Sequence, residues 1–299
     1  MRDAKRDRGF VLVNALIVVA AVSALAIGVL RDAEAGIERV SALRSSDRAA
    51  LALDGAALLV RLRLEADDPA VDGPGDAWVS EAESWSLDAA RVTLDSSDLQ
   101  GRFNLNWLLR PDLPGIDDAF LALAGVAGVP GDASAAIVAR YAALSSTADP
   151  AEPPEGSDFA RDEIALAAEL LALEGVDRAA LEALEPLLAF LPAGSGLNLN
   201  TAGREVILAL TGGSETAFSA FAAAREQPFD DPADAVTALE QAQGGPAPLV
   251  TLLAEVATSW VELRATALVE GERSAATFVL RRDSDTSTAA IIFEVPRDA

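Results

Sequence analysis

The chain contains no cysteine and no histidine. Without cysteine there is no disulfide framework and no thiolate to act as nucleophile or soft metal ligand. Without histidine, Ser-His-Asp and Cys-His nucleophile systems drop out, as do zinc sites built on His or Cys. Positive charge is also scarce: 23 Lys and Arg stand against 47 Asp and Glu, a formal net charge of −24, and Lys5 lies in the polar N-terminal head. Such a chain is a poor partner for a phosphate backbone, which is gripped through cationic side chains. Composition therefore disfavours an enzyme. No nucleophile elbow or metal-ligand cluster is visible in the sequence, although two acids brought together only in space would escape such a reading. What is abundant is apolar: 51% of the residues are hydrophobic, enough for a sizeable core and too many for a disordered chain. A length of 299 residues is compatible with two domains.

The first nine residues are polar, and Arg2, Lys5, Arg6 and Arg8 outweigh Asp3 and Asp7. From Phe10 to Leu30 no residue is charged. As a helix this run spans about 30 Å, the thickness of a bilayer core. Basic residues before it and acidic ones after it predict a cytoplasmic N-terminus and an inner-membrane, single-pass chain with its bulk in the periplasm. Three readings of the segment compete. A secretory signal peptide has a shorter apolar region and a small-residue exit site, and Leu30-Arg31-Asp32 is a poor exit. A plain membrane anchor is the second. The third is a prepilin-type leader: Arg8-Gly9-Phe10-Val11-Leu12 has a basic head ending in Gly, then Phe, then the apolar run. In this it resembles the type IV pilin and pseudopilin superfamily. The resemblance implies cleavage by a prepilin peptidase between Gly9 and Phe10, N-methylation of Phe10, and retention of the apolar helix.

Counted from Phe10, the fifth residue is Asn14, where most members of that superfamily carry Glu. The resemblance assigns that Glu to neutralising the terminal amine of a neighbouring subunit. An ionised carboxylate in hydrocarbon is costly without its partner, so a subunit with nothing above it gains by losing the acid. Asn14 thus points to a tip position; the alternative is a merely tolerated polar residue.

Beyond Leu30 the spacing of Val40, Leu43, Leu51, Leu58 and Leu62 predicts that the helix continues to about Leu64. Asp67-Asp68-Pro69 and Asp72-Gly73-Pro74-Gly75-Asp76 end it. Val92 and Leu94 then alternate with polar residues, Asp95-Ser96-Ser97-Asp98 reads as a turn, and Gly101, Phe103 and Leu105 alternate again, predicting a β-hairpin. From about 107 to 250 the pattern is helical. Leu123 to Gly131 followed by Ala135 to Arg140 suggests one helical hairpin, and Glu169 to Val176 followed by Leu181 to Leu187 a second. Trp260 to Val269, Ala275 to Leu280 and Ala290 to Val295 read as strands. The expected architecture is α+β: a pilin-like long N-terminal helix with an antiparallel sheet, interrupted by a large all-α insertion whose two ends lie close together on the sheet. The expected parts are 1–9 leader, 10–30 membrane helix, 31–106 remaining helix and first strands, 107–250 helical insertion, and 251–299 last strands.

Two short motifs repeat a pattern: Gly101-Arg102-Phe103-Asn104-Leu105-Asn106 and Leu197-Asn198-Leu199-Asn200-Thr201-Ala202. In each, Asn alternates with apolar residues ahead of a predicted helix. Asn104, Asn106, Asn198 and Asn200 are expected to bond nearby backbone rather than a ligand. Thr201 is expected to cap the following helix, with Glu205 in its first turn.

The order of these features (a leader without Glu, DLQGRFNLNWL, ELLALEGV, LNLNTA, AREQPFDDPADAV, and terminal strands) resembles the protein K family of minor pseudopilins of type II secretion. The resemblance covers most of the chain, from Arg8 to about Arg282. It implies SAM-like parts in the insertion and a place at the tip of the periplasmic pseudopilus. The implied partners are the I and J minor pseudopilins, the major pseudopilin, the prepilin peptidase and the inner membrane. Where related proteins have an Asp-rich loop, this chain has Tyr141 to Phe159, with only Asp149 and Asp158 as acidic counterparts. Calcium at Asp149, Glu152, Glu155 and Asp158 is conceivable, but a solvated acidic loop is favoured and no cofactor is expected. The helical hairpins also resemble DNA-binding proteins of competence, which makes membrane-anchored DNA uptake the alternative. The acidic surroundings count against it, and no nucleic acid is expected.

Overall fold

The computed structural model describes residues 4–87, 90–147, 163–164 and 167–297. Helix α1 (Ala4–Glu65) is about 93 Å long at 1.5 Å per residue. Its described side chains are exposed from Val13 to Arg44, apart from half-buried Gly36. From Val13 onward it contains a stretch long and apolar enough to cross a membrane, with mean hydropathy 2.5 and none of that window buried in the protein. Burial begins at Ser45 and recurs at Ala49, Ala52, Leu53, Ala56, Ala57, Val60 and Leu64. That 3–4 spacing puts one face of the C-terminal half against the sheet, and the alanines let the helix axis approach closely.

The sheet has the order β1-β2-β7-β8-β9 and is antiparallel throughout. Its strands are β1 (Ser80–Leu87), β2 (Ala90–Asp98), β7 (Trp260–Val269), β8 (Glu272–Arg282) and β9 (Ala289–Arg297). Val92, Leu94, Leu263, Ala265, Phe278 and Leu280 join Trp78 and the α1 face in one core. The fold is thus α+β and pilin-like in plan, as the patterning of the stem and the C-terminal strands implies.

The predicted hairpin around Asp95–Asp98 is not there. Strand β2 runs straight through those residues with alternating burial to its end. The reason is that the inward positions are polar and partnered: the Ser96 hydroxyl donates to the Trp78 carbonyl, and Asp98 is buried among donors. The hairpin partner of β2 is β1, upstream, and its other neighbour is β7. Phe103–Asn104 belongs to a separate two-residue strand, β3, and Leu105–Leu109 to a 3₁₀ turn.

The chain leaves the sheet after Asp98 and returns at Trp260. Asp98 pairs with Val261 and the Leu99 N–H donates to the Trp260 carbonyl at 3.0 Å, so exit and re-entry are neighbours. Among the described residues between them lie α2 (Ile116–Val126), α3 (Gly131–Thr147), α4 (Arg178–Leu184), α5 (Arg204–Thr211), α6 (Glu215–Ala224), α7 (Pro232–Gln243) and α8 (Pro248–Leu253), with the two-residue strands β3 (Phe103–Asn104), β4 (Leu188–Ala189), β5 (Leu197–Asn198) and β6 (Ala254–Glu255). The departure from the sheet is therefore wider at both ends than the helical pattern alone marks. Phe103, Trp107, Phe120, Leu123, Tyr141, Leu199, Phe221 and Val250 lie in a second core that belongs to this block.

Candidate functional site: the stem and the seam

The repeated Asn motifs make the same clasp twice. Strand β3 pairs in parallel with β4, and β5 with β6. In each clasp the first Asn accepts, on its Oδ1, the backbone N–H two residues on: Asn106 to Asn104 at 3.1 Å and Asn200 to Asn198 at 3.0 Å. The second Asn then ties distant backbone. The Asn106 amide donates to the carbonyls of Ile164 and Leu191, both at 2.8 Å, and its Oδ1 accepts from the Ile164 N–H and the Tyr141 hydroxyl. The Asn200 amide donates to the carbonyls of Phe229 and Val256, and its Oδ1 accepts from the Phe229 N–H at 2.8 Å. All four Asn are buried, and their polar groups are met by protein partners.

Thr201 is not a helix cap. Helix α5 starts at Arg204 behind Gly203, which offers no side-chain cap. The Thr201 hydroxyl instead donates to the Asp98 carboxylate at 2.6 Å, where a buried acid competes better than orphan amides at a solvated helix end. Glu205 does stand in the first turn of α5. Gly101 explains itself at the same place: a β-carbon there would sit 2.8 Å from the Thr201 carbonyl oxygen, so only glycine lets the two motifs cross.

Asp98 belongs to a polar hub that sequence reading missed. It lies at the seam between the insertion, the sheet and the chain that follows the stem. Asp72 and Arg282, 0% and 1% exposed, form an ion pair. Asp72 also accepts from the Thr258 N–H at 2.7 Å and the Trp78 indole at 3.2 Å. Arg282 donates to the Thr258 carbonyl at 2.8 Å. Asn198 bridges the Asp72 carbonyl and the Asp98 carboxylate, while Gln100 accepts the Ser259 N–H and the Thr258 hydroxyl. Burial dominates the electrostatics. It pushes the Asp72 carboxyl up to about 6, against the opposing pull of the Thr258 amide and Arg282. It raises Asp98 and Glu255 as well.

Asp67, Asp72 and Asp76 bring carboxylate oxygens within 4.8 Å of one another, but Asp72 is already committed to Arg282. Asp149 and Asp158, the weak calcium candidates, lie outside the described residues, as do Glu152 and Glu155. Gly9 and Phe10 fall within α1, and Asn14 is exposed on it.

The stem offers the other candidate surface. On the side of α1 turned away from the sheet, Ile37, Val40, Leu51, Leu58 and Leu62 are all exposed. At 100° per residue they cluster on one stripe opposite the buried face. An apolar stripe of this length on one helix face suits another helix.

No protein-family model matches the chain, and no curated protein matches it. Among solved structures, a chain of the crystal structure of the GspK-GspI-GspJ complex from the enterotoxigenic Escherichia coli Type 2 Secretion System is similar, with a TM-score of 0.64 and 17% sequence identity, covering 87% of this chain and 100% of that one. The likeness is one of fold.

Proposed function

We propose that this chain is a minor pseudopilin of type II protein secretion, standing at the tip of the periplasmic pseudopilus and promoting its assembly. The observation that carries the reading is the stem: an apolar helix free of the head along its N-terminal half, continued by an outward stripe on its head-bound half. Such a helix has two uses. Its first part is stored in the inner membrane; after extraction, the whole outward face packs against sibling stems. The work is packing, not bond chemistry, and the reading assigns the chain no enzymatic activity.

Three further features support the tip. Asn14 carries no charge for a neighbour's terminal amine to neutralise. The insertion between Asp98 and Trp260 widens the head, which obstructs stacking above it. The fold also resembles a chain from a complex of minor pseudopilins, so the partners assigned here are I-type and J-type minor pseudopilins, then the major pseudopilin below. A prepilin peptidase cutting after Gly9 and methylating Phe10 completes the assignment, with the N-terminus cytoplasmic and the head periplasmic. DNA uptake, the other reading of the helical hairpins, is disfavoured by the net charge of −24.

Replacing Gly9 with a bulky residue, as in Gly9→Trp, tests the reading. The expected result is a precursor that keeps its full length and a cell that no longer secretes by this route. A chain that still shortens and still supports secretion contradicts it.

A further inference from the structure

Strand alternation gives the sheet two faces. Phe278 and Leu280 of β8 join the core under α1, so Thr277 and Val279 point the other way, toward the insertion. A small third core forms there from Leu99, Ala189, Leu191 and Trp260, with Val279 packed against it. It does not fill the interface. A partly open cavity of about 230 Å³ lies between the sheet and the insertion. Thr277 and Val279 stand in its sheet wall, while Leu99, Leu188 and Phe190 come from the insertion.

Three properties of the walls describe an occupant. The first is size. A cavity of about 150 Å³ accepts benzene, so this one has room for about nine non-hydrogen atoms. The second is charge. Glu262, in the wall, is 2.8 Å from Arg102 and 2.9 Å from Arg264. Glu185, also in the wall, is 3.7 Å from Arg264. Two acids therefore face two cations. An ionic guest would lose its hydration here without gaining a counter-ion, so the walls select against charge.

The third is a single polar handle. Thr277 is 8% exposed, and its hydroxyl is buried with no hydrogen-bond partner among the described residues. A hydroxyl buried in this way is costly to the fold, and valine would fill much the same space without that cost. Apolar walls with one or two polar groups to fix orientation are the usual make-up of a small-molecule site.

We propose that this cavity binds a small uncharged molecule with an apolar body and one oxygen, hydroxyl or carbonyl, that pairs with Thr277. The occupant touches the sheet through Thr277 and Val279 and the insertion through Leu188 and Phe190. It therefore joins the two parts of the head and stabilises their docking. The site uses neither the stem nor its outward stripe, so it stands or falls independently of the proposed assembly role.

Para-cresol and para-xylene test it, being probes of equal size that exchange one hydroxyl for a methyl. Scanning calorimetry follows unfolding of the full chain in lipid nanodiscs at increasing concentrations of each, and the midpoint shift gives the affinity. Both probes should raise the midpoint of the parent. Val279→Phe, which fills the cavity, should abolish both shifts. Thr277→Val should lower the ratio of para-cresol to para-xylene affinity about fivefold, the worth of one hydrogen bond. Uptake of the probes by lipid is common to all samples and cancels from these comparisons. A parent that responds to neither probe, or a Val279→Phe chain whose shifts match the parent's, overturns the site. An affinity ratio unchanged by Thr277→Val overturns the pairing with its hydroxyl, and this comparison decides alone should Val279→Phe fail to fold.

Discussion

Asp72→Ala is expected to cost the folded head about 3–5 kcal/mol, the usual penalty for stranding one partner of a buried ion pair. Read as thermal unfolding, that is a fall in the midpoint of roughly 10 °C for a domain of this size. The loss comes mainly from Arg282. Its guanidinium is 1% exposed and cannot shed its proton, and its Nη1 has no hydrogen-bond partner among the described residues even with Asp72 present. The reverse substitution, Arg282→Ala, should be milder and dependent on pH, because the stranded group is then an acid that can neutralise itself.

The direction follows from the raised Asp72 carboxyl. A carboxyl whose folded value lies above its unfolded value favours the folded state in its protonated form. That contribution is fully present below the ordinary carboxylate range and is lost as pH rises through about 6. Without Arg282 the folded value rises further. The deficit of Arg282→Ala relative to the parent should therefore shrink between pH 7.5 and pH 5, whereas that of Asp72→Ala should grow over the same range, because the variant lacks the carboxyl whose protonation stabilises the parent there. Unfolding midpoints of both variants at the two pH values check this. Replacing both residues by apolar ones should recover only part of the loss, because the Thr258 N–H and the Trp78 indole also lose their acceptor.

The second large effect concerns the stem. Leu51 and Leu58 are 71% and 47% exposed, so the double substitution Leu51→Asp with Leu58→Asp should move the unfolding midpoint of the isolated subunit little. Association should suffer badly. Each leucine buried against a neighbour contributes about 1.5–3 kcal/mol, so two together are worth roughly a hundredfold to ten-thousandfold in affinity. Introduced charge would add to the loss. Co-purification of the proposed minor pseudopilin partners from membranes, measured beside the unfolding midpoint, separates failed assembly from failed folding. Loss of both together would mean that the stripe serves the fold of the head rather than a neighbour.

The parts of this fold that could be read in advance are those where burial and hydrophobicity coincide. The stem showed its length in Phe10–Leu30 and in the helical spacing onward to Leu62. The strands at Trp260–Val269 and after Glu272 showed themselves by alternation. Reading failed where inward positions are polar. Ser96 and Asp98 look like turn residues, yet both point inward in β2 because donors and acceptors wait for them there. Strand β1, mostly serine and glutamate, gives no apolar period at all. The four Asn of the clasps were legible as backbone-bonding residues, but their most distant backbone partners, Pro192 for Asn104 and Asp72 for Asn198, are set by the tertiary fold. Asp72 and Arg282 lie 210 positions apart, and nothing local marks either as buried. Thr201 obeyed the same long-range logic: the Asp98 carboxylate claimed a hydroxyl that local rules assign to a helix end.

The central claim, that this chain is trimmed at the inner side of its apolar helix and keeps that helix for assembly, is tested most directly by intact mass and N-terminal sequencing of protein extracted from membranes. The account predicts a chain beginning at Phe10 and heavier by one methyl group. A chain still beginning at Met1, or one beginning beyond Leu30, would contradict it.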